Sequence, residues 1–184
     1  MAMTMTDVRR WLDAEEVDYQ SAKKLGVPAI PFLLELVQGG DLGLAAKAAY
    51  LASLIKGEKA AAVLKAAVAR NEPTLRVAVA AGIRNLSEVH ADKVAGLLQD
   101  DSDMGVRKVV LKSAAGFRSP AVTARVKRMA EADPESFVRE LAESTMRSMG
   151  KSSMTKKSMT KKSMTKKPTT KKSMPTKSAT KRKK

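Results

Sequence analysis

Arg76, Arg107 and Arg139 recur at an interval of about 31 residues, each four places after an acid: Glu72, Asp103 and Glu135. Two chemistries suit that pattern. On a helix, an acid four positions ahead of an arginine makes an intrahelical ion pair, with the acid at the N-terminal end where the helix dipole also favours it. Three guanidinium groups one period apart also form a row that a phosphate polymer could follow. The sequence leaves both readings open. Arg84, Lys108 and Lys112 have no acid at the matching earlier position, which makes them the better candidates for contacting an anion. Lys65, Arg70, Arg125, Lys127 and Arg128 read as a solvated outer face.

The second basic set is the C-terminal stretch. Residues 151–184 hold thirteen Lys, one Arg and no acid, which leaves 21 basic against 19 acidic residues in the rest of the 184-residue chain. Lys156, Lys157, Lys161, Lys162, Lys166, Lys167, Lys171, Lys172, Lys177, Lys181, Arg182, Lys183 and Lys184 are the candidate nucleic-acid contacts. The repeating word SMTKK offers no Leu, Ile, Val or aromatic residue to bury. Such a segment cannot offset an ordering cost of about 1 to 2 kcal/mol per residue, so a disordered tail is expected over 150–184. If six to ten of its lysines each met a phosphate, log K would fall against log salt with a slope of roughly −5 to −9.

Catalytic chemistry has little to work with. The chain has no cysteine and one histidine, His90, which reads as a loop residue in SEVHAD. No phosphate-binding glycine loop, nucleophile elbow or metal-ligand spacing appears. The expectation is a protein that is not an enzyme and needs no cofactor and no metal. No apolar run is long enough to cross a membrane and no secretory signal is legible. These features suggest a cytoplasmic, nucleoid-associated protein, or a nuclear one in a eukaryote, where KRKK could be an address.

The elements that must position these residues are repeated. DLGLAAKAAYLASL, EPTLRVAVAAGIRNL, DMGVRKVVLKSAAGF and ESFVRELAESTMRSM each open on an acid, with an aliphatic residue three places on: Leu44, Leu75, Val106 and Val138. Small or apolar pairs follow at Ala48–Ala49, Val79–Ala80, Val110–Leu111 and Leu141–Ala142. Shorter apolar-periodic stretches, AIPFLLELV, AAAVLKAAVAR, DKVAGLLQD and AVTARVKRMAEA, lie between them and end in polar turns. The unit is a pair of antiparallel helices repeated about every 31 residues. Glu15–Gly26 reads as a shortened second helix of a preceding unit, and Val8, Trp11 and Leu12 as a cap on the end of the stack.

An acid, two residues, Val/Leu-Arg and then small apolar pairs at this period resembles the short HEAT-like repeats of phycobilin lyases, over roughly Glu15 to Met149. The resemblance implies an all-α, right-handed α-solenoid of about four and a half helix pairs, residues 1–149, followed by the tail, 150–184. It also implies that the second helices line a concave face, where a protein partner could sit. Ala45, where the other copies carry Arg, interrupts any arginine row. The tail resembles those of linker histones and tailed bacterial histone-like proteins in composition.

The leading expectation is sequence-nonspecific DNA binding through the tail, with RNA as another polyanion that would serve. The alternative is a protein-interaction scaffold whose tail is solubilising or targeting. A third reading, a HEAT-like DNA glycosylase, needs an aromatic-lined acidic pocket, and the aromatics here are scattered one per repeat, mostly at core spacing. The oligomeric state is not legible.

Overall fold

The computed structural model describes the backbone of residues 3–162 and the side chains of residues 3–149. Among the described residues every regular element is a helix. α1 (Met5–Leu12) and the single-turn α2 (Tyr19–Ala22) form an N-terminal half unit. Four helix pairs follow: α3 (Ile30–Gln38) with α4 (Leu42–Ile55), α5 (Glu58–Ala69) with α6 (Pro73–Gly82), α7 (Glu88–Leu98) with α8 (Met104–Ala114), and α9 (Pro120–Ala132) with α10 (Ser136–Lys162). α10 runs past residue 149, into the stretch that begins the expected tail. The remainder of that tail, 163–184, lies outside the described residues.

Two of the acids that open the second helices cap them with their side chains. Asp41 Oδ1 accepts from the Leu44 amide at 2.9 Å and Asp103 Oδ1 from the Gly105 amide at 2.6 Å, each satisfying one of the donors that a helix N-terminus leaves free. Glu72 stands at the same place without a side-chain bond, ahead of Pro73, whose missing N–H suits the first helical position. Thr4 and Asp7 close a reciprocal capping box on α1. The two bonds from Thr4 hold the Asp7 carboxyl below its ordinary pKa.

One continuous apolar core threads the pairs. Leu33, Leu51, Leu64, Leu75, Leu98 and Leu111 are fully buried within it, each contributing about 1.5 to 3 kcal/mol by leaving water. The aliphatic residues that mark the period, Leu44, Leu75, Val106 and Val138, all face this core. Second helices α4, α6 and α8 pack on one another more closely than first helices α5, α7 and α9 do. Small residues permit it. Ala45, Ala48, Ala49 and Ala52 of α4 are fully buried, and a Cβ on Gly82 would lie 2.8 Å from Ser53 Cβ. The N-terminal unit stacks in the same order, with α1 on α3 and α4, and α2 on α4. Val8 and Leu12 are buried there, Trp11 is half-buried, and Tyr19 meets Tyr50 edge-on at 4.8 Å.

Replacing Gly82 tests this packing. A larger residue gains helix propensity, worth at most about 1 kcal/mol, but overpacks the α4–α6 contact. Gly82→Val is expected to lower unfolding free energy by roughly 2 to 3 kcal/mol, read as a fall in the urea midpoint with the slope unchanged.

Candidate functional site

The arginine row is neither of the two things its spacing suggests. No ion pair forms between Arg76 and Glu72, Arg107 and Asp103, or Arg139 and Glu135 among the described residues. Each guanidinium turns back instead to the loop that joins its own two helices. Arg76 Nη1 donates to the Asn71 carbonyl at 2.7 Å and its Oδ1 at 2.8 Å. Arg107 Nη1 donates to the Asp101 carbonyl at 2.7 Å, and Arg139 Nη1 to the carbonyls of Asp133 at 2.5 Å and Pro134 at 3.0 Å. These are carbonyls that the end of a first helix and its turn leave without partners. Asn71 tolerates the left-handed backbone this requires, at φ 57°.

The other edge of the guanidinium reaches the following repeat. Arg107 Nε and Nη2 hold Asp133 Oδ2 and Oδ1 at 2.8 and 3.1 Å, a bidentate pair with side chains only 6% and 2% exposed. Hydrogen bonding to Asp133 raises the Arg107 pKa above its ordinary value, against the opposing effect of burial. Arg76 Nε lies 2.8 Å from Asp101 Oδ2, also buried, although its N–H is not aligned for a hydrogen bond. The true partners thus stand most of a repeat after the arginines, not four places before them.

Ala45 leaves the first repeat without an arginine, and the next repeat compensates. Arg70 Nη1 donates to the carbonyls of Val37 and Gly39, both at 2.6 Å. Lys47 Nζ likewise reaches the carbonyls of Leu12 at 3.1 Å and Ala14 at 2.7 Å, at the end of α1. On the first-helix layer, Arg125 joins Asp92 at 2.5 Å and Gln99 at 3.1 Å. Arg70 and Arg125 are therefore structural, not the solvated residues expected, whereas Lys127 and Arg128 make exposed pairs with Glu131 and Asp100. Pairs of that kind contribute little.

Arg84, Lys108 and Lys112 remain on the surface. Arg84 Nε bonds the Ala81 carbonyl at 3.1 Å, and Lys112 is exposed one turn after Lys108 on α8. Lys108 Nζ sits 4.8 Å from the centre of the Phe137 ring, a cation–π contact across adjacent second helices. Phe137, one of the aromatics scattered along the repeats, is 52% exposed. Val77 occupies the position one repeat before Lys108, and Met104 lies one turn before it, each 39% exposed. Val77, Met104, Lys108 and Phe137 therefore form a mixed apolar and basic patch on the second-helix layer. The sequence reading missed it because the position of Phe137 is Gly43, Thr74 and Gly105 in the other repeats.

Of the tail candidates, Lys156, Lys157, Lys161 and Lys162 lie on the α10 backbone, with side chains outside the described set. Lys166, Lys167, Lys171, Lys172, Lys177, Lys181, Arg182, Lys183 and Lys184 lie outside the described residues altogether. His90 is in the first turn of α7, not in a loop, and its Nδ1 lies 2.9 Å from Ser87 Oγ. Among the described residues no group of His, Asp and Glu could hold a metal, and no helix is long and apolar enough to cross a membrane. A cleft of about 290 Å³ beside the last two inter-helix turns is lined by Asp101, Arg107, Arg128 and Asp133, without an aromatic residue. It does not supply the aromatic surface that a glycosylase needs.

A scan against protein-family models finds none that matches, and no curated protein matches. Among solved structures, a chain of the complex of CpcE and CpcF of phycocyanin lyase from Nostoc sp. PCC7120 is similar, with a TM-score of 0.60 and 20% identity over 77% of this chain and 96% of that one. The chain folds as a HEAT-like α-solenoid. The comparison also corrects the leading functional expectation. The similar structure is an assembly of two proteins, and the arginines that would form a phosphate track are bonded to turn carbonyls and buried carboxylates. DNA as the main partner, the histone-like reading and the nucleoid location are set aside. The expectation of a protein without enzymatic activity has no support either, since the similar chain belongs to a lyase.

Truncating Arg107 strands the Asp133 carboxylate and the turn carbonyls of Asp101 and Ser102. Arg107→Ala is expected to cost about 3 to 5 kcal/mol in urea unfolding, against a change within about 0.5 kcal/mol for Lys112→Ala.

Proposed function

We propose that this protein is a docking scaffold whose HEAT-like domain, residues 1–149, presents the second-helix layer to a protein partner, with residues 150–184 as a basic appendage. The observation that carries this reading is the contact of the Lys108 ammonium with the exposed Phe137 ring, with exposed Val77 one repeat before Lys108 and exposed Met104 one turn before it in the same layer. Its neighbours in the same layer, Ala78, Val109 and Leu141, are half-buried and leave a low, mostly apolar surface. A cluster of exposed large apolar side chains on one layer marks an interaction surface. An aromatic ring beside a long basic side chain is the composition in which binding energy concentrates. The similarity to a chain that assembles with a second protein supports the same reading.

The test is affinity purification with the full chain, wild type against Val77→Asp and Phe137→Asp, followed by reconstitution of any stoichiometric protein from purified components. Both substitutions fall on exposed positions, so circular dichroism and urea midpoints are expected to change little. Each is expected to weaken the reconstituted complex by at least about tenfold, the size of one interface hot spot. A wild-type chain that retains no stoichiometric protein, or variants that bind as the wild type does, would overturn the reading.

A further inference from the structure

Among the described residues, the inter-repeat contacts end on charges of opposite sign that form no ion pair. Asp101 and Asp133 occupy one position in their turns, two places before the acid that precedes the second helix, as in Asp101-Ser102-Asp103 and Asp133-Pro134-Glu135. Each receives the arginine of the repeat before it, Arg76 and Arg107 respectively. Arg139 makes the same bonds to its own turn as Arg107 does. An acid at the matching place of a stacked unit would complete its pairing, and residues 144–184 hold no Asp or Glu. The half-buried Arg139 thus forms no ion pair among the described residues.

The N-terminal unit shows the converse. Glu16-Val17-Asp18 repeats the doublet, with Asp18 capping α2 through the Gln20 and Ser21 amides at 3.1 Å. Glu16 therefore stands where Asp101 and Asp133 stand. It is exposed and forms no ion pair among the described residues. The unit that carries it stacks on the first repeat as the repeats stack on one another.

We infer that a second copy of this chain docks end to end, placing its Glu16 turn against the Arg139 turn of the first copy and continuing the inter-repeat pairing across the junction. Charge complementarity and the shared register of the two turns both point to that occupant. A head-to-tail contact of this kind is heterologous, so it leaves the far end of each copy open and propagates. This contact is separate from the second-helix patch, and either can fail without the other.

Sedimentation velocity of the full chain over a micromolar concentration series, at physiological salt to screen the tail, tests the inference with a charge-swap pair. Wild type is expected to grow in size with concentration. Glu16→Arg alone and Arg139→Glu alone are expected to associate at least about tenfold more weakly, as close interfacial charge pairs do when broken. An equimolar mixture of the two is expected to recover association, because acid-to-base junctions can then form again between unlike copies. Arg139→Glu also removes turn bonds, so helicity is checked by circular dichroism, and if it falls the exposed Glu16→Arg variant decides the matter. A wild type that stays monomeric throughout, or a Glu16→Arg variant that associates as the wild type does, would overturn it.

Discussion

A basic side chain, buried or half-buried and bound to turn carbonyls, is the interaction on which this stack of helices depends. Helix pairs joined by short turns bring the C-terminal end of every first helix, with its unpaired carbonyls, to one edge of the array. Left dry and unbonded, each such carbonyl would cost about 1 to 3 kcal/mol. The chain places a basic side chain at each of these edges: Lys47 at the end of α1, Arg70 at the α3–α4 turn, and Arg76, Arg107 and Arg139 at the next three. The capping acids, the small residues of α4 and the close approach at Gly82 matter because they let the turns align so that one side chain spans two repeats.

Stability alone does not explain the carboxylates that complete two of these contacts. A buried ion pair often does no better than a well-packed apolar pair of similar volume, because desolvation offsets the attraction. What it adds is register. A bidentate guanidinium accepts a carboxylate in one plane and one direction, so Arg107 and Asp133 fix how α9 sits on α8 in a way that leucines would not. In a repeat array, where each unit touches only its neighbours, such fixed junctions hold Phe137 of one helix over Lys108 of the next. The apolar and basic patch therefore inherits its geometry from contacts at the turn edge.

The period, the helix pairs and most of the buried positions were legible in the sequence because they are local: acids that cap, aliphatics at helical spacing, and small pairs one turn on. The partners of the arginines were not legible in that way. A nearby acid four places away is a plausible pair, and only the stacking of repeats shows that Asp101 and Asp133 are closer. The doublets at Glu16, Asp101 and Asp133 were the available signal, since one acid of each capped or preceded a helix and the other stood two places ahead of it, where Asp101 and Asp133 accept the amides of Asp103 and Glu135 and also meet Arg76 and Arg107. Arg70 was misread for the same reason, its partners lying a whole repeat back on the chain. Most of the aromatics stand at core spacing, whereas the register of Phe137 is the one that glycine and threonine hold elsewhere. The charge of the tail was plain from composition, but the polymer it would meet was an inference from composition alone.

The most direct measurement is a double-mutant cycle on Arg107 and Asp133, using Arg107→Met, Asp133→Leu and the pair in urea unfolding. The account predicts a coupling energy above about 1.5 kcal/mol, with the double variant more stable than either single one, since each single substitution leaves a buried group unpaired. A coupling below about 0.5 kcal/mol, the scatter expected of independent sites, would contradict the claim that these contacts tie one repeat to the next.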